Sequence, residues 1–405
     1  MSWEKAKISE ICRGIYDGPH ATPPVSEDGA IFLGISNITP DGHLDLSDPK
    51  YISESDLPKW TKRVTPLMGD IVFSYEATLN LYAIIPEGFR GCLGRRMALI
   101  RPDEEKVLGR YLYYYFFSDE WRATIAENTV VGATVDRIPL IRFPDFPVSF
   151  PSIEKQKVIA DMLSAYDDLI ENNQKQIKLL EEAAQRLYKE WFVDLRFPGH
   201  ENTPIVDGVP EGWKTGRADS FFNISIGKTP PRAEKQWFTE NGKGIPWISI
   251  SDMGSSSTFV FHTSEELTTD AISKHNVRVV PADTILVSFK LTVGRVSIAT
   301  ANTCTNEAIA HFLLPDTSMR EYTYLYLKCF EYDSLGNTSS ISKAVNSKII
   351  KAMDFVMPDQ TTVAQFHEVS KPILDAIRDK QEMNHKLAEA RDRLLPKLMN
   401  GEIEV

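Results

Sequence analysis

The stretch that decides the fold reads PSIEKQKVIADMLSAYDDLIENNQKQIKLLEEAAQRLYKEWF and spans residues 151–192. Along it, apolar side chains recur at spacings of three and four residues, which is the pattern of one face of an amphipathic helix. This first stripe consists of Ile159, Met162, Tyr166, Leu169, Asn173, Ile177, Leu180, Ala184, Leu187 and Trp191. A stripe that persists for about five heptads, with charged residues outside it, is typical of a coiled coil.

A second stripe of the same kind follows Pro358. Its members are Val363, Phe366, Ser370, Ile373, Ile377, Lys380, Asn384, Leu387, Arg391, Leu394 and Leu398. Because a whole domain separates the two helices in the chain, we expect them to pair as an antiparallel coiled coil. Polar residues near the middle of each stripe would fix the register at some cost in stability. The alternative is that each helix packs only on its own domain.

The sequence around these helices is duplicated with a period of about 210 residues, far longer than the 20–50 residues of a solenoid repeat. Residues 71–75 (IVFSY) are matched by residues 285–289 (ILVSF), and residues 35–37 (ISN) are matched by residues 250–252 (ISD). The duplication therefore predicts two tandem globular domains, each followed by one of the long helices.

Each globular domain is predicted to be α+β. Short runs rich in β-branched residues and bounded by turn residues indicate strands, and aromatic-rich segments at 111–121 and 322–332 are predicted to be buried helices. An isolated aromatic-rich helix is more often part of a core than a base-stacking surface. We place the two globular domains at 1–150 and 213–357, the long helices at 151–195 and 358–405, and a polar linker rich in glycine and proline at 196–212.

Composition is that of an ordinary globular chain, with 405 residues, 42% hydrophobic and 25% charged. No apolar run reaches the roughly 18 residues of a membrane span, and the first residues do not resemble a secretory signal. The four scattered cysteines favour a reducing cytoplasm over a disulfide framework or a zinc site. The net charge of −11 is unusual for a DNA-binding protein. If this chain binds DNA, its partners would have to supply much of the electrostatic attraction.

Catalytic motifs are missing from the sequence. There is no phosphate-binding loop and no glycine-rich loop for a methyl donor. Glu307 and His311 are four residues apart, but without a second histidine ligand nearby we expect no metal there. The sequence thus predicts a non-catalytic protein.

Five short stretches carry a specific resemblance. They are residues 151–156 (PSIEKQ), 187–192 (LYKEWF), 210–213 (PEGW), 227–230 (GKTP) and 290–295 (KLTVGR). In this order the chain resembles, over essentially its whole length, the specificity (S) subunits of type I DNA restriction–modification systems. The resemblance implies two target-recognition domains carried by an antiparallel coiled coil. The first copy departs from the family pattern at residues 76–80 (EATLN), which replace the Lys…Gly-Arg hairpin.

The same resemblance implies a division of labour. This chain would read a bipartite, asymmetric site in double-stranded DNA in the cytoplasm, and it would hold no cofactor of its own. Two methyltransferase subunits would bind S-adenosylmethionine and methylate adenine, which requires the base to leave the duplex. Restriction subunits would use ATP and Mg²⁺ for translocation and cleavage.

Candidate DNA contacts follow from residue type, because arginine and lysine suit guanine and phosphate and asparagine suits adenine. In the second domain they are Lys228, Thr229, Arg232, Lys290, Arg295, Lys343 and Asn346; in the first they are Arg95, Arg96, Thr134 and Arg137. The candidate coiled-coil and partner residues are Ile159, Tyr166, Asn173, Leu180, Leu187, Ile373, Ile377, Asn384, Leu387 and Leu394. Each candidate DNA contact has the surface salt bridge as its ordinary alternative.

A coiled-coil scaffold or adaptor without DNA specificity is the alternative function. The acidic net charge and the coiled coil would suit it, but it leaves the difference between the two domains unexplained. Two different readers instead predict an asymmetric target.

Overall fold

The structure is a computed structural model, and it describes residues 3–132, 135–240, 242–335 and 345–405. The chain folds as two compact units. Unit 1 is Met1–Leu169 together with Leu387–Val405, and unit 2 is Ile170–Lys386. Within the described part of the chain, no helix combines the length and the apolar character that crossing a bilayer requires.

In the part that the structure describes, the first half of the chain forms nine strands, three short helices and one long helix. They are β1 Glu4–Lys7, β2 Cys12–Asp17, β3 Ala30–Leu33, β4 Lys50–Ile52, α1 Leu57–Trp60, β5 Ile71–Ser74, β6 Tyr82–Ile84, β7 Gly91–Leu93, β8 Met97–Pro102, α2 Gly109–Tyr115, α3 Asp119–Asn128, β9 Pro147–Phe150 and α4 Ile153–Tyr188. A π-helical turn, Lys189–Val193, extends α4.

Unit 1 is built on a four-stranded antiparallel sheet in the order β2-β8-β5-β6. A three-stranded sheet, β4-β3-β7, has β3 and β7 parallel, and an antiparallel ribbon of β1 and β9 joins the two ends of the segment 4–150. Strand β5 is buried along its whole length because the apolar core covers both of its faces. The prediction of an α+β domain is confirmed here.

The aromatic-rich segment 111–121 is two helices rather than one. Helix α2 ends at Tyr115, and the hydroxyl of Ser118 then accepts from the amide of Trp121 at 3.2 Å and caps α3. The Trp121 indole donates to the hydroxyl of Tyr82 at 2.8 Å inside the core. The segment is buried as predicted, but the serine cap divides it.

The second half of the chain repeats this plan with added strands. Its elements are β10 Ile205–Val206, β11 Val209–Pro210, β12 Lys214–Arg217, α5 Ala218–Phe221, β13 Asn223–Ile226, β14 Phe238–Thr239, β15 Ile245–Ile248, α6 Ile250–Ser255, β16 Phe259–Val260, β17 Glu265–Leu267, α7 Thr269–His275, β18 Ile285–Ser288, β19 Val296–Ala299, β20 Cys304–Thr305, β21 Ile309–Leu313, α8 Arg320–Cys329, α9 Ser347–Lys351, β22 Asp354–Met357 and α10 Gln360–Met399. The predicted linker holds the small hairpin of β10 and β11.

Unit 2 has a five-stranded sheet, β13-β21-β18-β19-β16, whose first four strands follow the order of β2-β8-β5-β6. Its second sheet, β14-β17-β15-β20, contains β17-β15-β20 as the counterpart of β4-β3-β7, again with one parallel pair. The ribbon of β12 and β22 matches that of β1 and β9. The duplication seen in the sequence is therefore a duplication of sheet topology.

The two long helices run antiparallel wherever they meet. In unit 1, Asp167 of α4 contacts Arg391 of α10 at 2.6 Å. In unit 2, the amide of Asn173 donates to the amide oxygen of Asn384 at 2.8 Å. Also in unit 2, the ring of Trp191, in the turn that extends α4, lies 5.4 Å from the ring of Phe366 in α10, so residue numbers rise along α4 while they fall along α10. The predicted fold class, α+β with two long paired helices, is confirmed.

The buried face of α4 differs from the first stripe in its N-terminal half. Met162 and Leu169 were predicted to lie in the seam, but they are 37% and 51% exposed. Their neighbours Leu163 and Ile170 are buried instead, so the stripe is shifted by one residue there. Of the predicted coiled-coil residues, Ile159, Asn173 and Ile377 are buried, and half-buried are Tyr166, Leu180, Leu187, Ile373, Asn384, Leu387 and Leu394.

Candidate nucleic-acid interface

The hairpin between β18 and β19 is the first part of the candidate interface in unit 2. The Ser288 hydroxyl donates to the carbonyl of Thr292 at 2.6 Å and accepts from the amide of Arg295 at 3.0 Å. Gly294 has a φ of 86°, a left-handed conformation that glycine adopts without strain. These bonds fix the turn and place Lys290 near its tip.

The loop that follows β13 is anchored on the turn that follows β20. A Cβ on Gly227 would lie 2.0 Å from the Thr305 hydroxyl oxygen, so this close approach requires glycine. The amide of Lys228 donates to the carbonyl of Thr305 at 2.9 Å, and the hydroxyl of Thr229 donates to the Glu307 carboxylate. The Lys228 side chain remains exposed.

The Glu307 carboxylate links this loop to the hairpin electrostatically. Partial burial alone would raise the pKa of Glu307. The hydrogen bond from Thr229 and the positive charges of Lys290 and Arg232 outweigh burial, and the pKa lies below its ordinary value. The carboxylate is therefore charged and neutralises part of the basic character of this cluster.

Two of the arginines predicted to contact DNA are held by the protein itself. Arg232 makes two hydrogen bonds to the Glu265 carboxylate, at 2.7 and 2.6 Å, and its guanidinium lies 4.5 Å from the centre of the Trp247 ring. Arg295 donates to the carbonyl of Ile250 at 2.6 Å. Each guanidinium would have to break these contacts before it could bind a base edge.

His311 lies in the interior of unit 2. Its two ring nitrogens are hydrogen-bonded to the hydroxyls of Ser225, at 2.9 Å, and of Thr305, at 2.7 Å. Burial, helped by the charge of Arg278, lowers the pKa of His311 to about 4, so the ring is neutral near pH 7. Among the described residues, no three His, Cys, Asp or Glu side chains are grouped closely enough to hold a metal ion.

Asn346 has a structural role at the start of α9. Its side-chain oxygen accepts from the amides of Lys348, at 2.9 Å, and Ile349, at 3.0 Å, and so caps the helix. The predicted contacts Lys343 and Thr134 lie outside the residues that the structure describes.

In unit 1 the candidate residues surround the hairpin between β5 and β6. Arg96 has a φ of 72°, and its Nε lies 3.0 Å from the Glu76 carboxylate without hydrogen-bond alignment, so the contact is an ion pair. Arg137 pairs through its backbone with Val130, and its side chain is exposed. The Arg95 side chain is also exposed.

Backbone hydrogen bonds relate the two units residue by residue. Three pairs of bonds, all between 2.7 and 3.1 Å, occupy matching places in the two folds. In each pair the bond of unit 1 is given first, and each bond is written from amide to carbonyl. The pairs are Gly18 to Met97 with Gly227 to Ile309, Gly94 to Leu33 with Asn306 to Ile248, and Tyr75 to Arg96 with Phe289 to Ala308. By these bonds Glu76 corresponds to Lys290, and Arg95 corresponds to Glu307. The charges at these two positions are exchanged between the units.

The two hairpins share one backbone conformation although their sequences differ. Asn80, with a φ of 60°, takes the place of Gly294, and Ala77, with a φ of 73°, takes the place of Leu291. The departure of residues 76–80 from the family pattern thus changes the side chains and keeps the turn. Asparagine tolerates left-handed backbone, and this was the signal in the sequence that the turn would survive.

A duplicated α+β fold on paired helices, with differently charged turns, defines a class of two-domain recognition proteins. The family model for the type I restriction modification DNA specificity domain matches residues 3–182 and 210–379, once in each half of the chain. The chain belongs to this family, and the predicted resemblance is confirmed. Members of this family are named for DNA specificity and not for a reaction.

Full-length relatives agree with this assignment. The chain is 25% identical to the type I restriction enzyme MjaIX specificity subunit of Methanocaldococcus jannaschii, over 87% of this chain and 82% of the relative. It is 24% identical to the type I restriction enzyme HindI specificity subunit of Haemophilus influenzae, over 99% of both. The crystal structure of a type I restriction–modification S subunit from M. genitalium has the same fold, with a TM-score of 0.54, 14% identity, and coverage of 98% of this chain and 96% of that one.

Proposed function

We propose that this chain is the DNA-reading subunit of a type I restriction–modification complex and that its two domains, 1–150 and 213–357, read the two halves of a bipartite, asymmetric target. The observation that carries this proposal is the exchange of charge between matching turns. Glu76 and Arg95 in unit 1 stand where unit 2 has Lys290 and Glu307. Two readers with one backbone frame and differently charged turns meet the duplex differently, and so they suit two different half-sites.

The candidate DNA-contacting residues fall into two groups, those whose side chains have no ionic partner among the residues that the structure describes and those whose side chains do have a partner there. The charged ends of Lys228, Lys290, Arg95 and Arg137 form no ion pair within the described part of the chain, and we assign these side chains to the DNA. The other candidates already form hydrogen bonds or ion pairs within the protein and would act by shaping the turns. They are Thr229, Arg232, Arg295, Asn346 and Arg96. Lys343 and Thr134 remain candidates on residue type alone.

Chemistry would belong to partner subunits, with methyltransferase subunits binding S-adenosylmethionine and restriction subunits using ATP and Mg²⁺. Unit 1 offers a surface for one such partner. Val158, Met162 and Leu169 lie on one face of α4, and all three are exposed. An apolar helical face of this kind suits a protein partner, and DNA and partner subunits would meet the chain in the cytoplasm.

The decisive experiment is co-expression with the neighbouring methyltransferase subunit, followed by long-read mapping of N6-methyladenine. We expect a new bipartite, asymmetric motif that disappears when this chain is left out. A stable complex that methylates no chain-dependent motif would contradict the proposal and favour a scaffold. Replacing residues 213–357 with the matching domain of another S subunit is the control, and it should change one half of the motif only.

A further inference from the structure

Leu291 occupies an unusual position at the tip of the β18–β19 hairpin. Its side chain is 88% exposed, and its backbone has a φ of 60°. Left-handed backbone strains a residue with a Cβ, because the Cβ comes too close to the following carbonyl oxygen. Glycine or asparagine would relieve this strain, and a polar side chain would be better solvated. The position thus carries two local costs, the strained backbone and the exposed apolar side chain.

The hairpin presents this leucine in a fixed orientation. The bonds from Ser288 to Thr292 and Arg295 close the turn on both sides of it, and the amide of Gly294 donates to the carbonyl of Ser288 at 2.9 Å. The matching residue in unit 1, Ala77, has the same left-handed backbone with a small side chain. The strained backbone is therefore common to both hairpins, and the exposed leucine belongs to unit 2 alone.

The surroundings of Leu291 indicate what it contacts. Lys290 precedes it, and Lys228 lies on the loop that Thr229 ties to Glu307, whose carboxylate senses the charge of Lys290. An apolar tip beside cations is complementary to a DNA duplex, since cations meet phosphates and the tip meets the bases. A two-stranded ribbon fits the major groove, where the apolar group on offer is the C5-methyl of thymine.

We propose that Leu291 contacts the C5-methyl group of one thymine in the half-site that unit 2 reads. This inference rests on the proposed function and adds a specificity-determining residue to it. The contact would contribute to the choice of base rather than to general attraction, because it involves no phosphate. Lys290 beside it would supply the attraction that does not depend on sequence.

The test uses the full chain assembled with its methyltransferase subunits and a duplex carrying the mapped motif. For Leu291→Ala we expect roughly tenfold weaker specific binding with an unchanged salt dependence, because a base contact is lost and no phosphate contact. The thymines of both half-sites are then replaced by uracil one at a time, and each replacement removes only the C5-methyl group. At one thymine the replacement should weaken wild-type binding roughly tenfold and leave binding of Leu291→Ala unchanged.

Ile205→Ala, which truncates another exposed aliphatic side chain, is the control and should bind as the wild type does. Thermal unfolding of each variant checks the fold. A clear wild-type motif with unaltered binding by Leu291→Ala would overturn this inference and leave the proposed function standing. The inference would also be overturned if, at every thymine, the loss of binding from uracil simply added to the loss from Leu291→Ala. Failure of Leu291→Ala to assemble with its partners would overturn it as well, because a protein would then cover Leu291. The lack of any chain-dependent motif would overturn both proposals.

Discussion

Unit 1 and unit 2 pair the same strands, yet they fill the space beside those strands with different chemistry. In unit 1, Tyr16 of β2 lies opposite Leu99 of β8, and Leu99 packs with Leu93 in an apolar cluster. The matching positions in unit 2 are Ser225, His311 and Thr305, which are hydrogen-bonded to one another. One sheet frame thus accommodates an apolar cluster in one copy and a polar one in the other.

The difference shows which property the duplicated frame requires. Buried polar groups are tolerated where each finds a partner, and both nitrogens of His311 do. At the surface the same freedom appears as the exchange of Glu76 and Lys290. Interior and surface positions have therefore diverged while strand order and turn conformation stayed constant. The following predictions test how far each unit depends on its own version.

The largest effect is expected where the paired helices bury polar groups. In unit 1, Asp167 and Arg391 form an ion pair in which both side chains are buried, whereas unit 2 has the uncharged pair of Asn173 and Asn384. Arg391→Met leaves the buried Asp167 carboxylate with the Tyr114 hydroxyl but without its positively charged partner, and it should reduce the free energy of unfolding by about 3–5 kcal/mol. Asn384→Leu leaves only an amide unpaired and should cost about 1–3 kcal/mol. Urea unfolding, monitored by hydrogen exchange of the backbone amides in each unit, measures both changes in the free energy of unfolding.

The double variant with Asp167→Leu and Arg391→Met is the control for the charged pair. It should recover most of the lost stability, because replacing a buried ion pair with apolar residues is often neutral. Equal losses for Arg391→Met and Asn384→Leu would show that charge is not what distinguishes the two helix contacts.

The next effect concerns pH, and it should appear in unit 2. Burial lowers the pKa of His311 from 6.5 to about 4, so the unfolded chain binds a proton that the folded chain does not bind between these values. The contribution of the neutral His311 ring to the free energy of unfolding is fully present above about pH 6.5 and is lost as the pH falls towards 4. The loss amounts to about 3 kcal/mol.

His311→Gln removes the titrating group and keeps an amide that can contact both hydroxyls. The difference in free energy of unfolding between wild type and variant, measured with urea at several pH values, should narrow as the pH falls from 6.5 to 4. A constant difference over this range would mean that His311 is already protonated in the folded chain or that its pKa is ordinary.

The smallest effect concerns the exchanged surface charge. Lys290→Glu gives unit 2 the residue type that unit 1 has at Glu76. Specific binding of the assembled complex should weaken roughly tenfold, and the salt slope should fall by about one, because one phosphate contact is lost. Titrations of the duplex at several salt concentrations provide both values. Glu76→Lys in unit 1 is the mirror variant and should not weaken binding; a shift of both variants in the same direction would refute the comparison.

Much of the architecture could be predicted because duplication and helical periodicity are visible without any contact information. The phase of the first stripe could not. Met162 and Leu163 are adjacent apolar residues, as are Leu169 and Ile170, so either member of each pair satisfies the three-and-four spacing. Contacts with the core of unit 1 select Leu163, and this choice also buries Asp167, a residue type that no apolar pattern would place inside.

The residues of the candidate site were predicted from residue type. Residue type alone does not distinguish a lysine or arginine that is available to DNA from one that is already bound to a carboxylate of the protein. Lys228 and Arg232 lie four residues apart in one loop, but only Arg232 meets a carboxylate. Glu265, which binds it, is distant in sequence, so the pairing depends on the formed sheet. The cap made by Asn346, in contrast, is local, and an asparagine directly before residues 347–351 (SKIIK) favours a helix start at that place.

Unit 1 takes its core from two separate segments of the chain, since Leu395, Leu398 and Met399 belong to the same apolar cluster as Trp121 and its aromatic neighbours. During synthesis on the ribosome, the earlier part of unit 1 therefore emerges without the segment that completes it. Unit 2 is one continuous segment and can close first, and its translation takes roughly 10–40 s at 5–20 residues per second. Throughout that interval, the surface of unit 1 that awaits Leu387–Val405 is open to chaperones and proteases. A nascent chain that stalls just after Lys386 would therefore carry one finished reader and one unfinished one.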